Sequence, residues 1–379
     1  MDFSFTEEQQ LLRDSLARYI EREYTFEKRR AIQRSAEGYS HEVWSVFAEM
    51  GLLGLTTPEE HGGYGGSAID TLVVMQALGA GLVVEPYLAS VVLGAGLIAR
   101  AGSAAQKESL LPAAAHGELL LTLAHAEPES RYELGAVATN ARRQGRDFVL
   151  QGHKAVVPWG AQADRLIVSA RTAGGPRDAH GISLFVVERG MKGVSARDYR
   201  TIDGLRAAEL KLDGVRISSD AALGPLDDAL PLLEAITDVG AAALCAEGVG
   251  VMETLNAQTL DYIKSRQQFG QPIGRFQTLQ HRAVDMFIHL EQSKSMALLA
   301  AVRADSPDAA ERRRAVSAAK AHLGRSGRAV TQIAIQLHGG MGVTDELPAS
   351  HYAKRLTMID FHLGDADFHV ERLVADARR

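Results

Sequence analysis

Along residues 1–118 the apolar positions recur every three or four residues, which is the spacing of helices with one buried face. Leu11, Leu12, Leu16, Tyr19 and Ile20 mark the first helix. Its start is signalled by Thr6-Glu-Glu-Gln9, a capping box, with Phe5 placed as a staple. A second helix is predicted near His41–Met50, stopped by Gly51. The Pro- and Gly-rich stretch Thr57–Gly66 reads as a loop. Further helices are predicted through Ile69–Leu82, Tyr87–Ala101 and Ser103–Ala115.

The period changes over residues 119–227. Phe148–Gln151, Leu166–Ala170, Ile182–Val187 and Glu209–Leu212 are short runs of Val, Ile, Leu and Phe separated by Gly, Asp and Pro clusters. Strands at this spacing predict a small antiparallel barrel or sandwich. Residues 228–379 return to helical spacing, with breaks at Gly270–Gly274, Ser306-Pro307 and His338–Thr344, and an interruption near Gly364. Long helices so connected predict a four-helix bundle. The expected class is α+β, mostly α: a helical domain (1–118), a middle β domain (119–227) and a C-terminal bundle (228–379).

Composition narrows the picture. The chain has 379 residues, enough for two or three domains, and 46% of them are hydrophobic. A net charge of −6, with no basic run, argues against nucleic-acid binding. The single cysteine, Cys245, excludes an internal disulfide and reads as a small core residue. The acidic start lacks a basic n-region, so no secretory signal is expected. The longest apolar run, Tyr87–Ala99, is short for a bilayer. A soluble, cytoplasmic protein that avoids membranes is the expectation. His125, His153, His281 and His338 show no metal-ligand spacing backed by cysteines or carboxylates, so no metal is expected.

Two stretches carry candidate chemistry. The first is Val239–Met252, a proline-free run rich in Gly and Ala that reads as a tightly packed helix. Gly240, Gly248 and Gly250 let a flat ligand or another backbone come close, at a cost in helix propensity. Glu247 sits among them, and its helical neighbours Ala243, Leu244, Gly250 and Val251 cannot pair with a charge. Buried there, it would have a raised pKa, which suits a base working next to a carbonyl. The alternative is that Glu247 faces solvent or meets an Arg from another segment. The second stretch is Arg266–Gln277, together with Gln336–Gly342. Arg266 is a fixed-charge fork for a pyrophosphate, Phe269 can pack on an adenine ring, and Gln336, Gly339 and Gly340 can approach phosphate oxygens.

The α–β–α order with Arg266-Gln-Gln-Phe-Gly-Gln-Pro-Ile-Gly-Arg-Phe-Gln277 and Gln336-Leu-His-Gly-Gly-Met-Gly342 resembles the acyl-CoA dehydrogenase flavoproteins over essentially the whole chain. Gly204–Glu209, Ala246–Gly250, Lys354–Asp360 and Gly364–Asp367 look like the pimeloyl-CoA dehydrogenase small-subunit type. The resemblance implies FAD, an acyl-CoA substrate, α,β-dehydrogenation and transfer of electrons to an electron-transferring flavoprotein. It implies a homo-tetramer, or a hetero-tetramer with a paralogous subunit, in which Arg266, Gln268, Phe269, Gln336, Gly339 and Gly340 reach the adenosine half of a neighbour's FAD. The base position that many members carry as Glu-Gly-Thr reads Leu363-Gly364-Asp365 here. A second family position falls on Gly240, whereas Ala246-Glu247-Gly-Val-Gly250 matches heteromeric relatives. Glu247 is therefore the expected base, with Asp238 second. On the flavin-ring side, His125, Ala126 and Trp159 occupy the expected places. Ala126 stands where the family carries Thr, and Val156 and Pro158 stand where it carries Trp and Thr. Trp159 either stacks on the flavin or fills the β-domain core. A competing expectation is a non-catalytic or half-site subunit that completes a paralogue's active site.

Overall fold

The computed structural model describes residues 5–378. The chain divides into two compact units. One gathers the segment up to Ala31, Ala68–Val83 and the chain from Ala241 onward; the other gathers Ile32–Ser67 and Val84–Gly240.

The first unit is helical. Its opening helix, Glu7–Glu23, begins with the capping box: the Thr6 hydroxyl accepts from Gln9 N–H, and the Gln9 side chain accepts from Thr6 N–H. The C-terminal part is a bundle of Leu230–Ser265 (from Ala241), Gln277–Ala304, Ala309–His338 and Pro348–Phe361, closed by the short helix Ala366–Ala377. The centre of this unit is small-residue packing. A Cβ at Gly79 would lie 2.1 Å from the Glu247 carbonyl oxygen, and one at Gly250 only 1.9 Å from the Gln76 carbonyl oxygen. Gly250 of the Val239–Met252 stretch thus admits another backbone, that of helix Ala68–Ala80, whereas Gly248 makes room for the Leu323 side chain. Helix Leu230–Ser265 is apolar enough to cross a membrane by composition, but its most apolar window is 94% buried, as in a soluble core helix.

The second unit holds the sheet. Its strands are β1 (Leu121–Ala124), β2 (Asn140–Gln144), β3 (Asp147–Pro158), β4 (Arg165–Arg171), β5 (Ile182–Glu188), β6 (Val194–Arg200), β7 (Arg206–Ile217) and β8 (Ala222–Leu223). They are ordered β6-β7-β3-β2-β4-β5-β8, with β1 also on β4. The sheet is not wholly antiparallel, as the sequence had suggested. β1 runs parallel to β4 along Leu121–Ala124, and β2 meets β4 in parallel at Asn140 and Arg171. Both lie against one edge of β4, so β3 must serve two partners in succession. On its other edge, against β7, β3 shifts register twice, at Leu150/Gln151 and Lys154/Val157. The second shift places Lys154 and Ala155 both inside. Buried apolar side chains from six strands, including Phe148, Leu150, Leu166, Val168, Phe185 and Leu210, fill the core of the sheet. The helix predicted over Tyr87–Ala101 winds as a π-helix over Leu88–Ala95 before Gly96–Ala101 continues as α.

Candidate active site

The best-formed candidate surface lies where helix Leu230–Ser265 ends. The chain turns into a short hairpin, Gln267–Gln268 against Gln271–Pro272. Phe269 (φ 54°) and Gly270 (φ 75°) form its tip, the left-handed pair that a tight hairpin turn requires. Only the tertiary setting makes a phenylalanine tolerable there. Its ring is 89% exposed and edge-on to Phe276 at 5.9 Å. Arg266 and Gln268 are exposed beside it.

The second sequence-predicted segment meets the same place. Helix Ala309–His338 ends with His338 buried and stacked on Tyr262, ring centroids 4.5 Å apart. The Tyr262 hydroxyl donates to the His338 carbonyl at 3.3 Å. Gly339 (φ 61°) and Gly340 follow, and a Cβ at either would meet nothing within 4 Å. Gln336 is exposed one turn earlier. The fold therefore presents an open glycine backbone, a guanidinium and an unburied aromatic at one end of the bundle. That set suits the phosphates and base of a dinucleotide. The sequence reading missed Tyr262, the ring that joins the two segments.

Glu247 is buried, 6% exposed, but not unpartnered. Arg355, itself buried, donates from Nε to Oε1 at 2.5 Å and from Nη2 to Oε2 at 2.7 Å. The expectation of a carboxylate with no charge beside it is corrected. The helical neighbours are indeed apolar, and the cation comes from helix Pro348–Phe361, 108 residues further on. Arg355 lies within the matched stretch Lys354–Asp360, but nothing in its local pattern points to position 247. Asp238 is also buried and has a partner. Cys245 is buried in the same helix, and burial pushes its thiol up to about 12, away from a reactive thiolate. The loop that reads Leu363-Gly364-Asp365 presents no carboxylate free of structural duty. Asp365 caps helix Ala366–Ala377 by accepting from Phe368 N–H.

The flavin-side residues of the sequence reading lie in the sheet unit. Ala126 offers its carbonyl to Ala155 N–H. His125 accepts from the Lys154 ammonium through its carbonyl at 3.3 Å, while its Nδ1 is enclosed without a hydrogen-bond partner. Burial, with the Lys154 charge nearby, lowers this imidazole to about 4, so it is neutral near pH 7. Next to it, Glu127 and Lys154 form a buried pair at 2.6 Å. Glu127 also accepts from Ala138 and Thr139 N–H, and Lys154 donates to the Ser169 hydroxyl. Pro158 uses its carbonyl to accept from the Thr122 hydroxyl. Val156 is exposed with φ 51°, an outlying conformation for a β-branched residue. Of the two alternatives for Trp159, core filling fits the structure: the ring is 4% exposed and edge-on to Tyr39 at 5.9 Å.

Family models for the acyl-CoA dehydrogenase N-terminal, middle and C-terminal domains match residues 6–118, 122–215 and 231–377. The chain belongs to the acyl-CoA dehydrogenase family. It is 30% identical to the mitochondrial isovaleryl-CoA dehydrogenase of Pongo abelii, over 97% of this chain and 88% of that one. Among solved structures it is similar to the Tcur3481-Tcur3483 steroid ACAD, with 31% identity, a TM-score of 0.88 and 98% of each chain covered. It is also similar to the ChsE4-ChsE5 complex from Mycobacterium tuberculosis, with 28% identity, a TM-score of 0.90, and 100% of this chain and 99% of that chain covered. Acyl-CoA dehydrogenases are oxidoreductases acting on CH–CH groups, and their cofactor is FAD. The open backbone at Gly339 and Gly340 and the exposed Arg266 and Phe269 fit the phosphates and base of such a group. In the sheet unit, His125 Nδ1 is enclosed without a hydrogen-bond partner.

Proposed function

We propose that this chain is a catalytic subunit dehydrogenating an acyl-CoA thioester between Cα and Cβ, with Glu247 as the base that takes the α-proton. The observation that carries the reading is the Glu247 side chain, a carboxylate removed from bulk water on a glycine-rich helix and matched by a cation. A carboxylate has about four acceptor positions, and a bidentate guanidinium occupies two, so a lone pair on each oxygen is left for a proton. Bound FAD would supply the hydride acceptor. Arg266, Gln268, Phe269, Gln336, Gly339 and Gly340 would hold the adenosine half of a dinucleotide shared with a neighbouring protomer. An 89% exposed phenylalanine at a hairpin tip has that kind of partner to gain. A tetramer, and delivery of electrons to an electron-transferring flavoprotein, complete the proposal. The matched Lys354–Asp360 and Gly364–Asp367 stretches favour a dicarboxylyl or medium-to-long acyl group.

The test is isotopic. Glu247→Gln should keep the fold and the flavin but stop exchange of substrate α-protons with D2O. Exchange at the parental rate in that variant would remove Glu247 from the role.

A second reading has its own support. Ala126 has no hydroxyl, Pro158 has no N–H, and Trp159 is closed off in the core. These favour a half-site subunit that offers its adenosine-side hairpin to a flavin whose ring is held by a paralogous chain. The ChsE4-ChsE5 relative is a complex of two named chains. Purifying the chain alone separates the two. A yellow protein bleached by acyl-CoA without oxygen supports the complete enzyme. A colourless chain that becomes active only with a partner supports the half-site.

A further inference from the structure

We propose that Arg355 is a positioning residue for the reaction: its two-pronged contact holds the buried Glu247 side chain in place and fixes the plane of its carboxylate. This deepens the reading of Glu247 as base and rests on it. The geometry is that of two parallel N–H···O bonds between one guanidinium and one carboxylate, at 2.5 and 2.7 Å. A lysine cannot reproduce it, because an ammonium is a point charge without a fork. Both residues are under 10% exposed, so water contributes little to holding the charge. A lone carboxylate in that place would take up a proton to escape desolvation, and a protonated Glu is no base.

The cation is itself held in place. Three helices of one unit meet around the pair. On helix Pro348–Phe361, Tyr352, one turn before Arg355, donates its hydroxyl to the Ala80 carbonyl at 2.6 Å. On helix Leu230–Ser265, Thr254, two turns after Glu247, donates to the same carbonyl at 3.1 Å. Gly79 abuts the Glu247 backbone directly. Ala80 thus receives a bond from each of the two helices that carry the pair, which fixes their register. Other cations on the Arg355 helix and its neighbours are committed elsewhere: Lys354 pairs with Asp345 at 2.6 Å. Lys320 gives its three N–H bonds to the Ile359, Asp360 and Gly364 carbonyls. Arg29 donates to the Leu82 carbonyl and meets the His351 Nδ1. Arg355 is the one whose fork is aimed at Glu247.

The experiment uses the assembled enzyme, with its partner subunit if it has one, and compares Arg355→Met, Arg355→Lys and the double variant Glu247→Gln/Arg355→Met. Arg355→Met should lower kcat by about 100-fold with KM changed less than about threefold, in the range of a displaced general base. Its acidic limb of kcat should move to higher pH. Arg355→Lys retains the charge, so it should keep the limb near its parental position while kcat stays about tenfold down for want of the fork. The double variant removes the unmatched charge and should melt above Arg355→Met, which separates charge burial from general unfolding. Parental kcat and pH profile in a folded Arg355→Met would overturn the proposal. Where Arg355→Met does not fold, parental kcat in Arg355→Lys would overturn it. If Glu247→Gln remains active, the reading of the base fails and this proposal with it. If Glu247→Gln is dead while Arg355→Lys turns over at the parental rate, only this proposal fails.

Discussion

Among the described residues, a buried ion pair from each unit of this acyl-CoA dehydrogenase can be compared, and the two are wired differently. In the sheet unit, Glu127 meets Lys154 at 2.6 Å and also accepts from Ala138 and Thr139 N–H. Lys154 spends its remaining donors on the Ser169 hydroxyl and the His125 carbonyl. That pair ties a loop to strand β3, with the acceptor sites of its carboxylate shared among backbone groups. Lys154 and backbone N–H bonds hold the Glu127 carboxyl below its ordinary range despite its burial. In the helical unit, Glu247 is met by a single planar fork from another helix. The first arrangement builds structure. The second leaves lone pairs in a dry place, which is what proton transfer uses. The two buried carboxylates therefore differ in the number and kind of their donors rather than in burial or pairing.

The largest effect should come from breaking the structural pair. Lys154→Met would leave Glu127 buried without its cation, which costs roughly 3–5 kcal/mol. Urea unfolding of the variant would read this. A Lys154→Met protein of parental stability would erase the contrast. Next, Gly250→Ala should cost about 1–3 kcal/mol by overpacking, since its Cβ would sit 1.9 Å from the Gln76 carbonyl oxygen. Gly340→Ala should leave the melting temperature unchanged, because nothing lies within 4 Å of that Cβ, and should weaken FAD retention instead. Thermal melts and bound-flavin content distinguish the two.

The smallest effect near neutral pH, growing only in acid, is the pH slope from one histidine in each unit. Burial first, then nearby cations, lowers His369 to about 3 in the helical unit and His125 to about 4 in the sheet unit. Both fall below the ordinary 6.5, so the unfolded chain binds the extra proton. Stability should therefore decline as pH falls below about 6.5, by up to about 1.4 kcal/mol per pH unit for the fully buried His369. Above that pH neither group contributes a slope. His369→Gln should flatten the acid side of a stability-versus-pH curve, and an unchanged slope would show that the proton is taken elsewhere.

What could be read in advance followed from local rules. The Thr6–Gln9 capping box, the stop at Gly51 and the strands around Phe148, Leu166, Ile182 and Glu209 all have neighbours in sequence that announce them. Strands β2 and β6 were missed because their side chains are mostly polar and outward, so the two-residue period is silent. Helix Phe26–Arg34 was missed for a similar reason: five of its nine residues are charged, and few are apolar. The break at Gly270–Gly274 was legible because turn chemistry is local, but the hairpin Gln267–Gln268 against Gln271–Pro272 was not foreseen. Nor was Arg355, since its meaning depends on a residue more than a hundred positions away.

The sequence by itself determined the α–β–α order, the family and the two segments that suit a dinucleotide. Those are written in periodicity, glycine placement and short motifs. Only the tertiary structure decided that Glu247 has a cation, that Trp159 is buried against Tyr39, and that Gly250 of the long helix admits a helix backbone. The physical reason is that charge pairing, burial and close approach are relations between distant parts of the chain, and they come into being only when the chain packs.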